Sequence, residues 1–388
     1  MIGRIRVATV ITRLAGGAGG VALRGALAMD PTEYDITLIT GEAQPTLVAA
    51  AEATGLKVVR LPELVSWIDA PRDRAALHHL TTLLTDGRYH VVHTHTAKAG
   101  VIGRLAAGRA AIPRLVHTLH GFPFHDFQAA WRHGLYVAIE RWLGRRTDLF
   151  LAVGSAVAAE AIRRRIAAPE RIRTIAPAVA PGGYPHGQVA RAQARERMGV
   201  PPGVRIVGTV ARADYQKAPE HWVDALAEVA AEDTWGVWIG DGPLRDRLLE
   251  QVNRRGLTGR FRYLGHREDV AELLPAFDVF ALASRYEGLP CALIEAMSAG
   301  VPVVATAVNA VSDVVIPGVT GLAVPPAEPR LLGRAIRYLL DQPTEAGRMA
   351  AAARAGLGDR FSTLALGAVL ADAYRVEVPQ TRLPHVST

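Results

Sequence analysis

Residues Ser284 to Thr306 read SRYEGLPCALIEAMSAGVPVVAT, and the fold is legible in that string. It holds two carboxylates, Glu287 and Glu295, with seven residues between them. A Gly-Leu-Pro turn follows the first. A short helix is predicted to carry the second just over one turn in, and the apolar run Val301 to Ala305 reads as a strand. Strand end, turn, helix and strand form one unit of an open α/β sheet, where ligands bind at strand ends and helix N-termini. On a plain βα unit both acids would be solvated surface glutamates. At a binding edge both would face one ligand, and carboxylates accept pairs of hydroxyl hydrogens. A ligand that is rich in hydroxyls and also anionic, such as a sugar nucleotide, suits that arrangement.

The same alternation runs through the chain. Arg4 to Val10, Asp35 to Thr40, Val91 to Thr94, Arg114 to Leu119 and Asp148 to Val153 are short runs rich in Val, Ile and Leu. Segments of helical period, such as Ala97 to Ala111 and Phe127 to Gly144, separate them. The pattern implies a parallel sheet with helices on both faces. Ile175 to Gly203 is dense in Pro and Gly, which places a linker near residues 176–186. Alternation restarts with Arg205 to Val210, Gly236 to Ile239, Arg260 to Leu264, Val279 to Ala283, Val301 to Ala305 and Gly321 to Val324. The expectation is an α/β protein of two doubly wound domains, residues 1–180 and 181–361, then a helix over residues 362–378 and a tail at 379–388.

Composition bounds the partners. The chain has 388 residues, 49% hydrophobic and 21% charged, enough for two sizeable cores. One cysteine, Cys291, excludes a disulfide framework and agrees with a reducing cytoplasm. Arg4, Arg6 and Arg13 interrupt the first apolar run, so no signal peptide is expected, and no apolar stretch is long enough for a transmembrane helix. The net charge of +7 favours anionic partners. Arg141, Arg145, Arg146, Arg163, Arg164 and Arg165 form a basic run that is either a solvated face or a peripheral patch for anionic lipid or a diphosphate lipid. No nucleic-acid-binding module or basic-aromatic pattern is present.

Several motifs sit at predicted strand ends. Gly16, Gly17, Gly19 and Gly20 precede a helix expected from about Val21 and would let backbone N–H groups approach a phosphate. Gly17, Gly19 and Ala22 also satisfy the dinucleotide fingerprint, with Glu42 at a distance suited to a ribose; the six residues between the predicted strand end and Gly17 argue against that tight turn. His93, His95, His117 and His120 raise the question of a metal, but neither an H-x-x-x-H helix pair nor a nearby Cys supports one. Arg212 and Lys217 lie on a loop after a strand and suit a diphosphate, the first bidentately and the second as a compact charge. Lys217 is one of only three lysines, with Lys57 and Lys98. Gly240 to Pro243 form a strand-to-helix turn with Pro near N1, and Gly265, His266 and Arg267 end a further strand.

Together the Glu287-to-Glu295 string, the Gly-Gly-Ala loop and the Arg212 and Lys217 pair closely resemble the retaining glycosyltransferases of family 4. The resemblance covers nearly the whole chain. It implies the GT-B fold: two Rossmann-like domains facing a cleft, with the last helix crossing back to the first domain. It further implies that Gly16, Gly17 and Ala18 touch a donor diphosphate and that His120 stands beside the donor sugar. Arg212 and Lys217 would grip the phosphates, with the backbone at Gly265, His266 and Arg267 near the base. Glu287 would hold sugar hydroxyls, with the turn at Gly288, Leu289 and Cys291 beside it, and Glu295 would hold the ribose. Phe122 to Phe127 and His95 would face the acceptor. Two features depart from the family. The usual Gly-Gly turn is replaced by Ala307 to Val311, and the usual downstream glutamate by Asp313.

The resemblance implies a hydroxyl acceptor in polysaccharide, glycolipid or secondary-metabolite biosynthesis and a nucleotide-sugar donor, UDP-linked by preference. No two aspartates stand two apart, so the Asp-x-Asp metal motif of the other large glycosyltransferase fold is absent. No metal or other cofactor is expected, because cations and helix dipoles would offset the diphosphate. The expected location is the cytoplasm or its membrane face; the sequence does not indicate an oligomeric state. The alternatives are a nucleotide-sugar epimerase on the same fold and a non-catalytic nucleotide-binding module.

Overall fold

A computed structural model of the chain describes residues 4–122, 124, 129–179, 183–185, 187–229 and 233–376. The tail at 379–388, residues 180–182 and 186 of the linker, and His125 and Phe127 of the acceptor segment lie outside the described residues. The chain divides into two compact units. Of the described residues, the first takes those up to Leu151, Ala161–Arg173 and those from Leu366; the second takes Ala152–Glu160 and those between Thr174 and Ala365.

The strands of the first sheet are β1 (Ile5–Leu14), β2 (Tyr34–Ala43), β3 (Lys57–Arg60), β4 (Val91–His95), β5 (Arg114–Leu119), β6 (Leu149–Ala152) and β7 (Ile172–Thr174). Their spatial order is β3-β2-β1-β4-β5-β6-β7. The two short strands β3 and β7 are additions to the sequence expectation. β1 is an interior strand, pairs in parallel with β2 and β4, and is buried on both faces from Val7 to Thr12, hence the absence of charge in that run. The first helix begins at Gly16, not near Val21, so all four glycines belong to its opening turns. β1 also reaches Leu14, so the six-residue gap once counted against a dinucleotide turn does not exist.

The segment from Leu366 packs on this unit. A Cβ added at Gly25 would meet Leu370, Arg114 Nε donates to the Ala373 carbonyl at 3.1 Å, and Arg173 pairs with Asp372. The helix containing it is Thr363–Ala373.

The second sheet comprises β8 (Arg205–Val210), β9 (Thr234–Ile239), β10 (Phe261–Gly265), β11 (Val279–Leu282), β12 (Val303–Thr306) and β13 (Leu322–Val324). Its order is β10-β9-β8-β11-β12-β13, with every neighbouring pair parallel. Trp222 and Trp238 meet edge to face at 5.6 Å in its core, and Trp222 Nε1 donates to the Ala281 carbonyl at 3.1 Å. Truncating such a buried aromatic typically costs ~3–5 kcal/mol.

Chain order reverses between β1 and β4 in the first sheet and between β8 and β11 in the second. Helices leave opposite faces of an open sheet at such a point, which opens a crevice at the strands' C-terminal ends. Most of the candidate residues are found at these two places, whereas Gly265, His266 and Arg267 lie at the end of the edge strand β10.

Candidate active site

In the second unit, β8 and β11 flank the reversal, and the loops at their C-terminal ends interlock. Arg285 N donates to the Gln216 carbonyl at 2.8 Å, and Arg285 Nη1 to the Tyr215 carbonyl at 2.7 Å, with its guanidinium 4.2 Å from the Tyr215 ring centroid. Arg285 also pairs with Glu220 in the first turn of the helix Pro219–Val229.

This interlock brings Lys217 to Glu287. Their side chains form an ion pair in which Glu287 is 4% exposed and Lys217 18%. Three donors converge on the carboxylate: Lys217 Nζ and Ser284 Oγ on Oε1, the latter at 2.6 Å, and Gln216 Nε2 on Oε2 at 3.2 Å. A carboxylate offers about four lone-pair positions, so one acceptor position remains on Oε2. The backbone N–H of Glu287 donates to Asn309 Oδ1 at 3.0 Å, and Asn309 takes a left-handed conformation, φ 44°, at the end of the β12 connection. Ser284 is fixed in turn by Thr306, whose hydroxyl donates to the Ser284 carbonyl at 2.7 Å.

Arg212 is 57% exposed and binds Asp214 through Nε at 2.6 Å. Asp214 also accepts from the Lys217 backbone N–H at 3.1 Å, so one carboxylate organises both cationic residues. Burial, with neighbouring Asp214, Tyr215 and Glu287 in support, holds the Tyr286 hydroxyl above its ordinary pKa.

Glu295 is half-buried in the helix Cys291–Ser298, one turn beyond its start, as the spacing predicts. Gly288 and Leu289 are buried, and Cys291, which forms no disulfide, opens the helix. The Gly240 turn lies backbone to backbone on the Arg212 loop. Ala213 N donates to the Asp241 carbonyl at 3.1 Å, and Leu244 N to the Ala213 carbonyl at 2.8 Å. A Cβ at Gly240, where φ is +122°, would stand 2.2 Å from the Ala211 carbonyl oxygen. Pro243 precedes the helix, which starts at Arg245. The Gly265 carbonyl accepts from Gly240 N at 2.7 Å, Arg267 grips Asp269 with two nitrogens at 2.7 and 2.6 Å, and His266 is exposed.

The first unit gathers the histidines at the ends of β4 and β5. Alternation puts His93 and His95 on the same face as Thr118 and His120 of the neighbouring strand and its end. His95 Nδ1 and His120 Nε2 share a hydrogen bond at 2.9 Å. The His93 ring lies tilted against His95, with centroids 4.2 Å apart, and bonds Tyr374 Oη at 2.6 Å and Thr118 Oγ1 at 2.7 Å. His117 lies on the other face, bonded to Thr94 Oγ1 at 2.8 Å. Burial is the first cause that keeps all four neutral: the pKa is about 3 for His93, about 4 for His120, and well below the ordinary value for His95 and His117. Among the described residues no group of three or more His, Cys, Asp or Glu could hold a metal ion. Glu42, the ribose acid of the dinucleotide alternative, is exposed and paired with Arg13 at 3.3 Å. Phe122 stacks on Phe124 at 4.7 Å.

Ser284, Gln216, Asp214 and Asn309 complete the Lys217–Glu287 cluster without having been singled out in the sequence. The substituted loop has its own role: Asn309 holds the Glu287 backbone, while Asp313 accepts from Ser155 N at 2.6 Å and from the Ser155 hydroxyl.

Comparison with known proteins decides the family. The profile of the glycosyl transferase 4-like domain matches residues 16–178, and that of glycosyl transferases group 1 matches residues 190–356. A D-inositol 3-phosphate glycosyltransferase of Xylanimonas cellulosilytica is 30% identical over 393 residues, 92% of each chain. The chain belongs to the group 1 glycosyltransferases. This glycosyltransferase is also 28% identical over 317 residues to the UDP-Gal:alpha-D-GlcNAc-diphosphoundecaprenol alpha-1,3-galactosyltransferase of Escherichia coli, covering 79% of its own length and 80% of that protein. Among solved structures, Anabaena HepE in complex with UDP and glucose superposes with a TM-score of 0.82 at 22% identity, over 95% of the glycosyltransferase and 99% of HepE. The Xylanimonas and E. coli relatives are named as transferases, which disfavours the epimerase alternative.

Proposed function

We propose that the enzyme moves a sugar from a UDP-sugar to an acceptor hydroxyl with retention at the anomeric carbon. The observation that carries this reading is the Lys217–Glu287 cluster at the β8/β11 reversal, with Arg212 exposed beside it. The E. coli relative is named for a UDP-sugar donor and HepE was solved with UDP. In the reaction, the bond between the anomeric carbon and the diphosphate oxygen breaks while the acceptor oxygen bonds to the same face of that carbon. The acceptor proton passes to the departing phosphate oxygen, so no carboxylate base is needed. Arg212 and Lys217 stabilise the charge that grows on the diphosphate, where losing one such contact typically costs ~3–4 kcal/mol of barrier. Glu287 offers its remaining Oε2 position to a sugar hydroxyl, and Glu295 serves the ribose.

The test is incubation with α-linked UDP-sugars and a panel of hydroxyl acceptors, with the product anomer assigned by NMR. The expected product is an α-glycoside, and Arg212→Gln should lower kcat/KM roughly 100-fold or more. An isomerised free nucleotide sugar, an inverted product, or full activity in the variant would overturn the reading.

A further inference from the structure

Helix Ala130–Gly144 of the first unit has two apolar faces where a surface helix ordinarily has one. Val137, Leu143 and Gly144 point into the unit, together with Glu140, whose carboxylate is buried against Arg104 at 2.7 Å. On the opposite side Trp131, Leu135, Ala138 and Trp142 follow each other at helical spacing. Trp131 is 70% exposed, Leu135 51% and Trp142 44%. Three such side chains in one stripe differ from the scattered apolar residues that surfaces normally show.

The flanks of the stripe are cationic. Arg132 and Arg146 border one side, with Arg146 placed 4.2 Å above the Trp142 ring; Arg141 and Arg145 border the other. Arg141 Nε donates to the Arg164 carbonyl at 2.5 Å, which brings the Arg163 to Arg165 run alongside. The exposed positions of the helix hold no acid, because Glu140 is turned inward.

We propose that this face docks on an anionic lipid bilayer, with Trp131, Leu135 and Trp142 entering the headgroup region and the arginines meeting lipid phosphates. An apolar stripe between rows of basic residues is the signature of a helix lying in the membrane interface. A second copy of the chain is the poorer partner, since a two-fold contact would set arginine against arginine. A nucleic acid would use the arginines but would leave Leu135 without a role. No helix among the described residues is long and apolar enough to cross a membrane, so contact through this face would be peripheral.

Flotation of the full chain with vesicles of phosphatidylglycerol and phosphatidylcholine tests this, independently of any donor or acceptor. Binding is expected to these vesicles and not to phosphatidylcholine alone, weakening as salt is raised. The combined variant Arg132→Gln, Arg145→Gln and Arg146→Gln should bind on the order of 100-fold more weakly, at roughly fivefold per charge. Leu135→Ser with Trp142→Ser should abolish flotation while UDP affinity, read on the other unit, stays unchanged. No flotation by the wild type, flotation unaffected by the apolar variants, or a concentration-dependent dimer that those variants dissolve would each overturn the proposal.

Discussion

Replacing Lys217 with Ala should destabilise the second unit by about 3 kcal/mol, more than the change Glu287→Gln. The asymmetry follows from burial. Glu287 is 4% exposed, so without Lys217 its charge is left with only the neutral donors Ser284 and Gln216. Breaking a buried pair by removing one partner costs ~3–5 kcal/mol, and these two hydrogen bonds put the estimate at the low end. Glu287→Gln leaves an ammonium at the surface end of a flexible stem, which reaches water readily. That variant loses the charge-assisted bond and misdirects one donor, about 1–2 kcal/mol. The double variant Lys217→Ala with Glu287→Gln strands no charge, so its cost should fall short of the sum of the single changes by at least ~1 kcal/mol. Urea denaturation followed by fluorescence reads this directly, since Trp222 and Trp238 lie in the core of the same unit. Strict additivity, or a larger loss for Glu287→Gln than for Lys217→Ala, would refute the claim that the carboxylate is the desolvated member.

Two further outcomes follow from the packing. His93 and His120 titrate at about 3 and about 4 in the folded chain against 6.5 for the unperturbed side chain, so the unfolded chain binds protons first as pH falls. Their contribution is present in full above pH ~6.5 and is lost toward pH ~4 for His120 and pH ~3 for His93, at up to about 1.4 kcal/mol per pH unit for each histidine; a urea midpoint of the first unit that is flat between these limits would contradict it. Gly240→Ala should cost more than ~2 kcal/mol and weaken UDP binding, because its Cβ would collide with the Ala211 carbonyl at a φ of +122°. Gly259→Ala, with nothing within 4 Å, is the control and should be nearly neutral by the same urea assay.

Much of this arrangement is legible in the amino-acid sequence alone. Runs such as Arg205 to Val210 are strands because β-branched residues suit a sheet buried on both faces. What could not be read was the strand order, since it is set by which face each crossover helix takes. The glycines at 16 to 20 misled for a different reason. Glycine is a poor helix former, which suggests a loop, yet the chain needs glycine there: a Cβ at Gly19 would lie 2.8 Å from the Leu14 carbonyl carbon. At the site, Arg212 and Lys217 stood out as two cations after a strand, and Glu287 by its seven-residue spacing from Glu295. Gln216, Ser284 and Asn309 are small or neutral loop residues with no periodicity to betray them. The only signal was adjacency, as Gln216 precedes the lysine and Ser284 stands three residues before the glutamate.

Under the proposed reading, the cluster shows how an anion site can be built with few charges. Under the proposed reading Lys217 must meet a diphosphate, yet it already holds Glu287. The two tasks do not compete, because an ammonium carries three donors and Glu287 takes one. A free lysine side chain loses up to about 2 kcal/mol of rotamer entropy when it is immobilised. Glu287 has taken that loss during folding, and Asp214 does the same for the backbone of Lys217 and for Arg212. The carboxylates therefore hold the cations still at the cost of partly neutralising them. That exchange favours a ligand with directional oxygen acceptors over a diffuse anion, since oriented donors reward geometry more than net charge. A diphosphate ester meets that requirement and chloride does not, so the affinity for UDP should fall far less with added chloride than that of an unpaired lysine and arginine would.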